Sequence, residues 1–225
     1  MKLLMTIIVT FFAGMGAGLG TGFAGMSAAA VISPMLITFL HMNPFMAVGI
    51  ALSSDVLASA VSAYTYGKNK NLDVKNGSIM ILTGLVFTVI GSYISSLVPS
   101  TTMGSFSVVM TFFLGIKFIV RPVMTTKEAM NSVSAKKRAV QSVLCGMIIG
   151  FICGFVGAGG GMMMLLILTS VLGYELKTAV GTSVFIMAFT AFTGAASHFA
   201  IGGKPDFLVM GLCVVFTSVS YTHLR

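Results

Sequence analysis

The sequence predicts an all-α integral membrane protein built from two repeated four-helix halves, each opened by a long apolar run that glycines break. Three observations predict it. Of 225 residues, 56% are hydrophobic and 8% are charged, whereas a soluble domain carries about 25% charged residues. Seven apolar runs follow one another and leave no room for a separate soluble domain. Two of those runs are copies of each other. The same composition excludes a disordered chain. Lys and Arg number 13 against five Asp and Glu, for a net charge of +8. In so apolar a chain that excess is a topology signal, so the expected partner is the lipid bilayer and no nucleic acid.

A spanning helix needs about 20 predominantly apolar residues. Leu3 to Leu40 is one continuous run, ended by His41-Met42-Asn43-Pro44. A cleaved signal peptide would carry an apolar core of only about 7–15 residues, so this run is read as retained. Phe45 to Tyr66, Gly77 to Val98 and Thr102 to Val120 follow, then the basic loop 121–138. Ala139 to Leu172, Thr178 to Ile201 and a last run from Phe207 complete the chain. A straight helix over Leu3 to Leu40 would be roughly 57 Å long, in a hydrocarbon core of about 30 Å. The run must therefore break, re-enter or fold back. The glycines at 14, 16, 18, 20, 22 and 25 mark where, and Gly157, Gly159, Gly160 and Gly161 do so in Ala139 to Leu172. Loops 67–76 and 121–138 hold most of the Lys and Arg and should face the cytoplasm. The turns at His41–Pro44 and Pro99–Thr101 should face outward. If each long run is one crossing, the N-terminus with Lys2 is inside.

The two long runs align at an offset of 132 residues without a gap, with 11 identities over positions 14–49. Gly22-Phe23 meets Gly154-Phe155, Gly25 meets Gly157, and Ala47-Val48-Gly49 meets Ala179-Val180-Gly181. Internal repeats of this kind build many transporters. The expected organisation is a first transmembrane repeat over 1–120, a basic cytoplasmic loop over 121–138, and a second repeat over 139–217 that is truncated. The repeat calls for eight spans, and about seven are present. Residues 218–225, ending Val-Ser-Tyr-Thr-His-Leu-Arg, look like translated sequencing-adapter read-through and are expected to be a non-native tail.

Glycine spacing of four, at Gly14, Gly18, Gly22 and again at Gly146, Gly150, Gly154, puts a flat stripe on a helix and suits close helix packing. The denser Gly157-Ala158-Gly159-Gly160-Gly161 reads either as a packing kink or as an interrupted helix whose N–H groups face an anion. Gly20-Thr21-Gly22-Phe23-Ala24-Gly25 fits a dinucleotide fingerprint by letter but lacks the preceding strand and βαβ context. Asp55 is the acid within a predicted span, where charge is costly. It is either a coupling residue or a neutral acid bonded to Ser53, Ser54 or Ser59. Its repeat partner is Met187. His198 reads as a loop-edge histidine near Lys204 and Asp206, and the 18 Met as adaptable packing. Cys145, Cys153 and Cys213 show neither disulfide nor zinc spacing. No catalytic or metal-ligating constellation occupies a span, so an enzyme, a metal site and a cofactor are not expected.

Gly154-Phe155-Val156-Gly157-Ala158-Gly159-Gly160-Gly161 followed by Ala179-Val180-Gly181-Thr182-Ser183 resembles the TauE/SafE sulfite exporter family. So do the weaker first copy, Gly22-Phe23-Ala24-Gly25 with Pro34 and Ala47-Val48-Gly49, and the segment Ser197-His198-Phe199 with Gly202 before Asp206-Phe207. The resemblance covers residues 12–217. It implies a multi-pass permease of the bacterial inner membrane that moves a small anion such as sulfite, an organosulfonate or a related organic acid, with ion coupling. By the same resemblance Gly157, Gly159, Gly160, Gly161, Thr182 and Ser183 line the substrate path. The first copy departs from the pattern: Met26-Ser27-Ala28-Ala29 replaces the glycine cluster and Ile50-Ala51 replaces Thr-Ser. Ser27 and Ser53 are then the substitute substrate ligands, with Asp55 the coupling candidate. The alternative to a transporter is a membrane scaffold or assembly partner.

Overall fold

A computed structural model describes residues 2–99, 134–157, 160–202 and 204–222, with positions 109, 112, 113, 116 and 120. Most of the fourth apolar run and of the basic loop 121–138 lies outside the described residues. So do Ala158 and Gly159.

Among the described residues all regular structure is helical. The helices are α1 (Lys2–Ala24), α2 (Ala29–Leu40), α3 (Pro44–Lys68), α4 (Val74–Leu97), α5 (Ala135–Val156), α6 (Gly160–Ser170), α7 (Leu176–Gly202) and α8 (Phe207–Thr222). Five of them, α1, α3, α4, α5 and α7, are long and apolar enough to cross a bilayer, and α2, α6 and α8 are shorter. Large apolar side chains face outward along the long helices, as with Leu82, which is 70% exposed, and Phe192, which is 64% exposed. Water would disfavour that surface and acyl chains suit it. α8 continues to Thr222, past the point where the apolar run weakens, and Ser220 Oγ donates to the Met15 carbonyl at 3.0 Å.

The long runs do not cross once each, which corrects the single-crossing reading. α2 folds back along α1. Gly16 lies against Val31, and Leu4, Met5, Ile8, Val9 and Phe12 share one groove with Met35 and Phe39. The start of α1 therefore sits at the same end of the molecule as His41 and Asp206, which line a cavity of about 460 Å³ with Met5 and Thr6. Asn43, Phe45, Ser95, Val98 and Gly202 share that end as well. The opposite end gathers Lys68, Lys70, Lys75, Lys136, Lys137, Arg138 and Lys177 around Asp73 and Tyr174. By the positive-inside rule that end is cytoplasmic. The start of α1 is then outside, not inside. Hydropathy could not have shown this, because a run that returns has the same composition as one that crosses.

Chain direction alternates between corresponding helices. α3 runs from the outer end inward, and α7 runs from the cytoplasmic end outward. These two cross at the centre, with Gly49 against His198 and Phe199, and Gly181 against Tyr66 and the Asn71 carbonyl. Flanking them, α1 packs along α8 and α5 along α4. The four-residue glycine spacing explains the closeness. A Cβ on Gly146, Gly150 or Gly154 would strike the α4 backbone or Thr83, and one on Gly14 or Gly18 would strike α8.

Candidate functional site

Each long run turns at a glycine. Gly25 has φ +61°, and its N–H donates to the Thr21 carbonyl at 3.1 Å while Met26 N–H donates to Gly20 at 3.2 Å. The Gly25 bond is the single 5→1 bond of an αL cap, which favours a glycine with positive φ. Gly157, with φ +66°, closes α5 in the same way through a 2.9 Å bond to the Cys153 carbonyl. Both positions are also crowded. A side chain on Gly25 would meet Val180 and Ser183, and one on Gly157 would meet Val48.

Beyond these turns the chain comes back to mid-height, where the short helices α2 and α6 begin. Ser27 is the junction. Its Oγ accepts from Ala29 N–H at 3.2 Å and donates to Asp55 Oδ2 at 2.5 Å. Asp55 Oδ1 accepts from Ala28 N–H at 3.0 Å and from Ser59 Oγ at 3.2 Å. A carboxylate carried by α3 therefore sits on the N-terminal end of α2, where the free N–H groups and the helix dipole favour negative charge. Asp55 and Ser59 are 0% exposed and Ser27 is 3% exposed. The start of α6 is adjacent, since a Cβ on Gly161 would meet the Ser27 backbone nitrogen and Met187 Sδ. At the position 132 residues after Asp55, the neighbour of α6 is thus a thioether and not an acid.

The remaining residues named from sequence fall around this centre. Ser183 lies by the Gly25 turn and donates to the Val180 carbonyl at 2.8 Å. Thr182 is buried two turns into α7, where its Oγ1 accepts from Asp73 N–H at 3.0 Å. Ser53 Oγ donates to the Gly49 carbonyl and Ser54 Oγ to the Ile50 carbonyl, so neither holds Asp55. Ser59 alone of the three serines considered does so. Gly160 opens α6, and Gly159 lies outside the described residues. Among the described residues no group of three His, Cys, Asp or Glu side chains could hold a metal ion.

Two further polar clusters escaped the sequence reading. At the cytoplasmic end, Asp73 caps α4 by accepting from Asn76 N–H at 3.1 Å, and its Oδ2 accepts from Tyr174 Oη and Asn76 Nδ2, both at 2.7 Å. Burial works to raise the Asp73 carboxyl, but the bonds from Tyr174 and Asn76 and the nearby Arg138 outweigh it and hold the group below the usual carboxylate range. Burial and the Asp73 carboxylate push the Tyr174 phenol up, so it stays a donor. No signal links residues 101 apart in sequence. At the outer end, His198 is 0% exposed rather than at a loop edge, with both ring nitrogens on backbone carbonyls.

Apolar helices that outnumber any soluble core's needs, half-length helices starting at mid-height, and basic residues gathered at one end define a multi-pass membrane protein of the transporter type. The chain belongs to the sulfite exporter TauE/SafE family, whose profile matches residues 10–222. It is 26% identical over 218 residues to the probable membrane transporter protein YunE of Bacillus subtilis, covering 88% of this chain and 80% of that protein. It is 23% identical to the probable membrane transporter protein YdhB of the same organism, over 98% of this chain and 91% of that protein. A probable membrane transporter protein of Methanocaldococcus jannaschii is 27% identical, over 98% and 89% of the two chains. No solved structure matches the chain.

Proposed function

We propose that the protein is an ion-coupled secondary transporter that carries a small anion, such as sulfite or an organosulfonate, past the mid-height junction of α2 and α6. The family's description names sulfite, and the relatives' names give membrane transport. One observation carries the reading. The N-terminal end of α2 holds a built-in carboxylate from Asp55, whereas the start of α6 has Met187 beside it. α6 therefore keeps its N–H groups and positive dipole end for a diffusible anion. Gly157, Gly159, Gly160 and Gly161 let the backbone approach that anion, with the Ser27 and Ser183 hydroxyls turning to it from Asp55 and the Val180 carbonyl. Ser53 and Thr182 act from the walls of α3 and α7, and Asp55 is the coupling group.

The two halves act as inverted repeats in this reading. Corresponding helices start about 132 residues apart and run in opposite directions. The contacts are reciprocal: Gly25 meets Val180 while Gly157 meets Val48, and Gly49 meets His198 while Gly181 meets Tyr66. Inverted repeats of this kind exchange two related shapes around a fixed site. A binding experiment tests the assignment. Purified protein is melted with sulfite, thiosulfate, an organosulfonate and chloride in turn. A ligand at 100 times its Kd stabilises by about 2.7 kcal/mol, so one anion should raise the melting temperature of the wild type and not of Met187→Asp, which gives the start of α6 a carboxylate of its own. Equal shifts in both proteins would remove the site from α6.

A further inference from the structure

His198 is the buried titratable group that the anion path leaves unused. Its Nδ1 lies 3.0 Å from the Phe45 carbonyl oxygen and its Nε2 2.9 Å from the Gly154 carbonyl oxygen. A neutral imidazole has one N–H and one lone pair. It can satisfy one of these carbonyls and must set its lone pair against the other at hydrogen-bond distance. Gly154 is in the last turn of α5, where carbonyls have no partner within the helix, and it also receives Ser92 Oγ at 3.3 Å. Phe45 is in the first turn of α3, and its carbonyl can accept from an N–H within the helix. The neutral ring therefore favours Nε2–H on Gly154, with the Nδ1 lone pair facing Phe45. One added proton on Nδ1 turns that contact into a second hydrogen bond.

Burial opposes the charged ring, and the second carbonyl bond is what favours it. From α3 it meets the Phe45 ring, with centroids 4.1 Å apart, and Gly49. From α5 it meets Gly154, and from α4 Ser92 reaches the same carbonyl. None of these contacting residues is charged. The buried titratable groups on those helices are Asp55 on α3 and Cys145 and Cys153 on α5. On α7 itself Lys177 is at the far end, and Lys204 and Asp206 follow the helix.

We propose that His198 is a proton-binding site that clamps the outer ends of α3 and α5 onto α7 when protonated and releases the Phe45 contact when neutral. The proton site stands on this geometry alone. Its use in coupling rests on the transport reading above. Proton binding in this place would make outer opening depend on external pH, since the ring lies one turn from the outer end of α7.

The test uses the full chain in lipid. The sequence has three histidines, at positions 41, 198 and 223, so His41→Gln with His223→Gln leaves His198 as the one histidine. Its ¹⁵N spectrum, recorded from about pH 8 down to the acid limit of the folded protein, should pass from one pyridine-type and one pyrrole-type nitrogen to two pyrrole-type nitrogens. Sulfite exchange measured over the same range and compared with the wild type at each pH, so that the protonation of sulfite cancels, should lose the His198 step in His198→Gln, which keeps a donor but takes up no proton. One unchanging tautomer overturns the proposal, and so does a wild-type pH profile that His198→Gln reproduces. The spectrum needs no anion, so failure of sulfite exchange in the wild type would count against the transport reading and leave the proton site to be decided by the titration.

Discussion

Replacing Asp55 by Ala should weaken the fold by an amount the hydrogen bonds set. The carboxylate accepts from Ser27 Oγ, Ala28 N–H and Ser59 Oγ in a fully buried site. Without it, Ala28 N–H has lost its acceptor, which costs about 1–3 kcal/mol. The Ser27 bond adds about 0.6 kcal/mol, the average for such bonds between membrane helices, and at most about 1.7 kcal/mol. Ser59 can turn to the carbonyl one helical turn back, as Ser53 and Ser54 already do, so its loss is small. Asp55→Ala should therefore cost about 2–4 kcal/mol. Asp55→Asn keeps an acceptor for Ala28 and offers its amide to Ser27, and should cost less than about 1 kcal/mol. Equilibrium unfolding in mixed micelles reads both values. A double-mutant cycle with Ser27→Ala should show a coupling of about 0.6–1.7 kcal/mol. Equal losses in the Ala and Asn variants, or additive effects of Asp55→Ala and Ser27→Ala, would refute the assignment of Asp55 as the cap of α2.

Three other outcomes follow from the same geometry. Gly150→Leu should abolish a monodisperse folded species, because its side chain would enter the α4 backbone at Gly84, while Gly211→Leu, with open space around it, should not; size-exclusion chromatography reads both. Tyr174→Phe should lower stability by about 1.5–3 kcal/mol at neutral pH, the range for a hydrogen bond to a charged group. The Asp73 carboxyl is held low, so its contribution is complete above the ordinary carboxylate range and is lost as the pH falls through the folded value. Wild type and Tyr174→Phe should therefore converge in acid, and a gap that stays constant on acidification would contradict that sign. In a background free of cysteine, His41→Cys should react with a membrane-impermeant thiol reagent on intact cells, and Lys70→Cys should react only after permeabilisation. The reverse pattern would invert the topology.

Much of this was legible in the residues. The glycine-rich stretches mark where the long runs break, and Gly25 and Gly157 both have positive φ at a helix end. Ser27 stands out as a polar residue in place of the glycine cluster, and it holds Asp55. What the sequence hid depends on chain direction and long-range approach. Hydropathy has no sign, so α2 returning along α1 reads like a continued crossing. His198 sits near the end of its apolar run, yet the first turn of α3 and the last turn of α5 bury it. Asp73 and Tyr174 are 101 residues apart in sequence. Thr182 has the hydroxyl that an oxyanion path needs, but the fold sets that hydroxyl against Asp73 N–H.

The most direct measurement is anion uptake into proteoliposomes under an imposed pH gradient, comparing wild type, Met187→Asp and Gly211→Leu. Passage of a small anion beside the start of α6 requires sulfite or a related anion to enter with wild type and Gly211→Leu and to be blocked by Met187→Asp, which places a carboxylate beside Gly161, with all three proteins intact. Uptake that Met187→Asp leaves unchanged would contradict it.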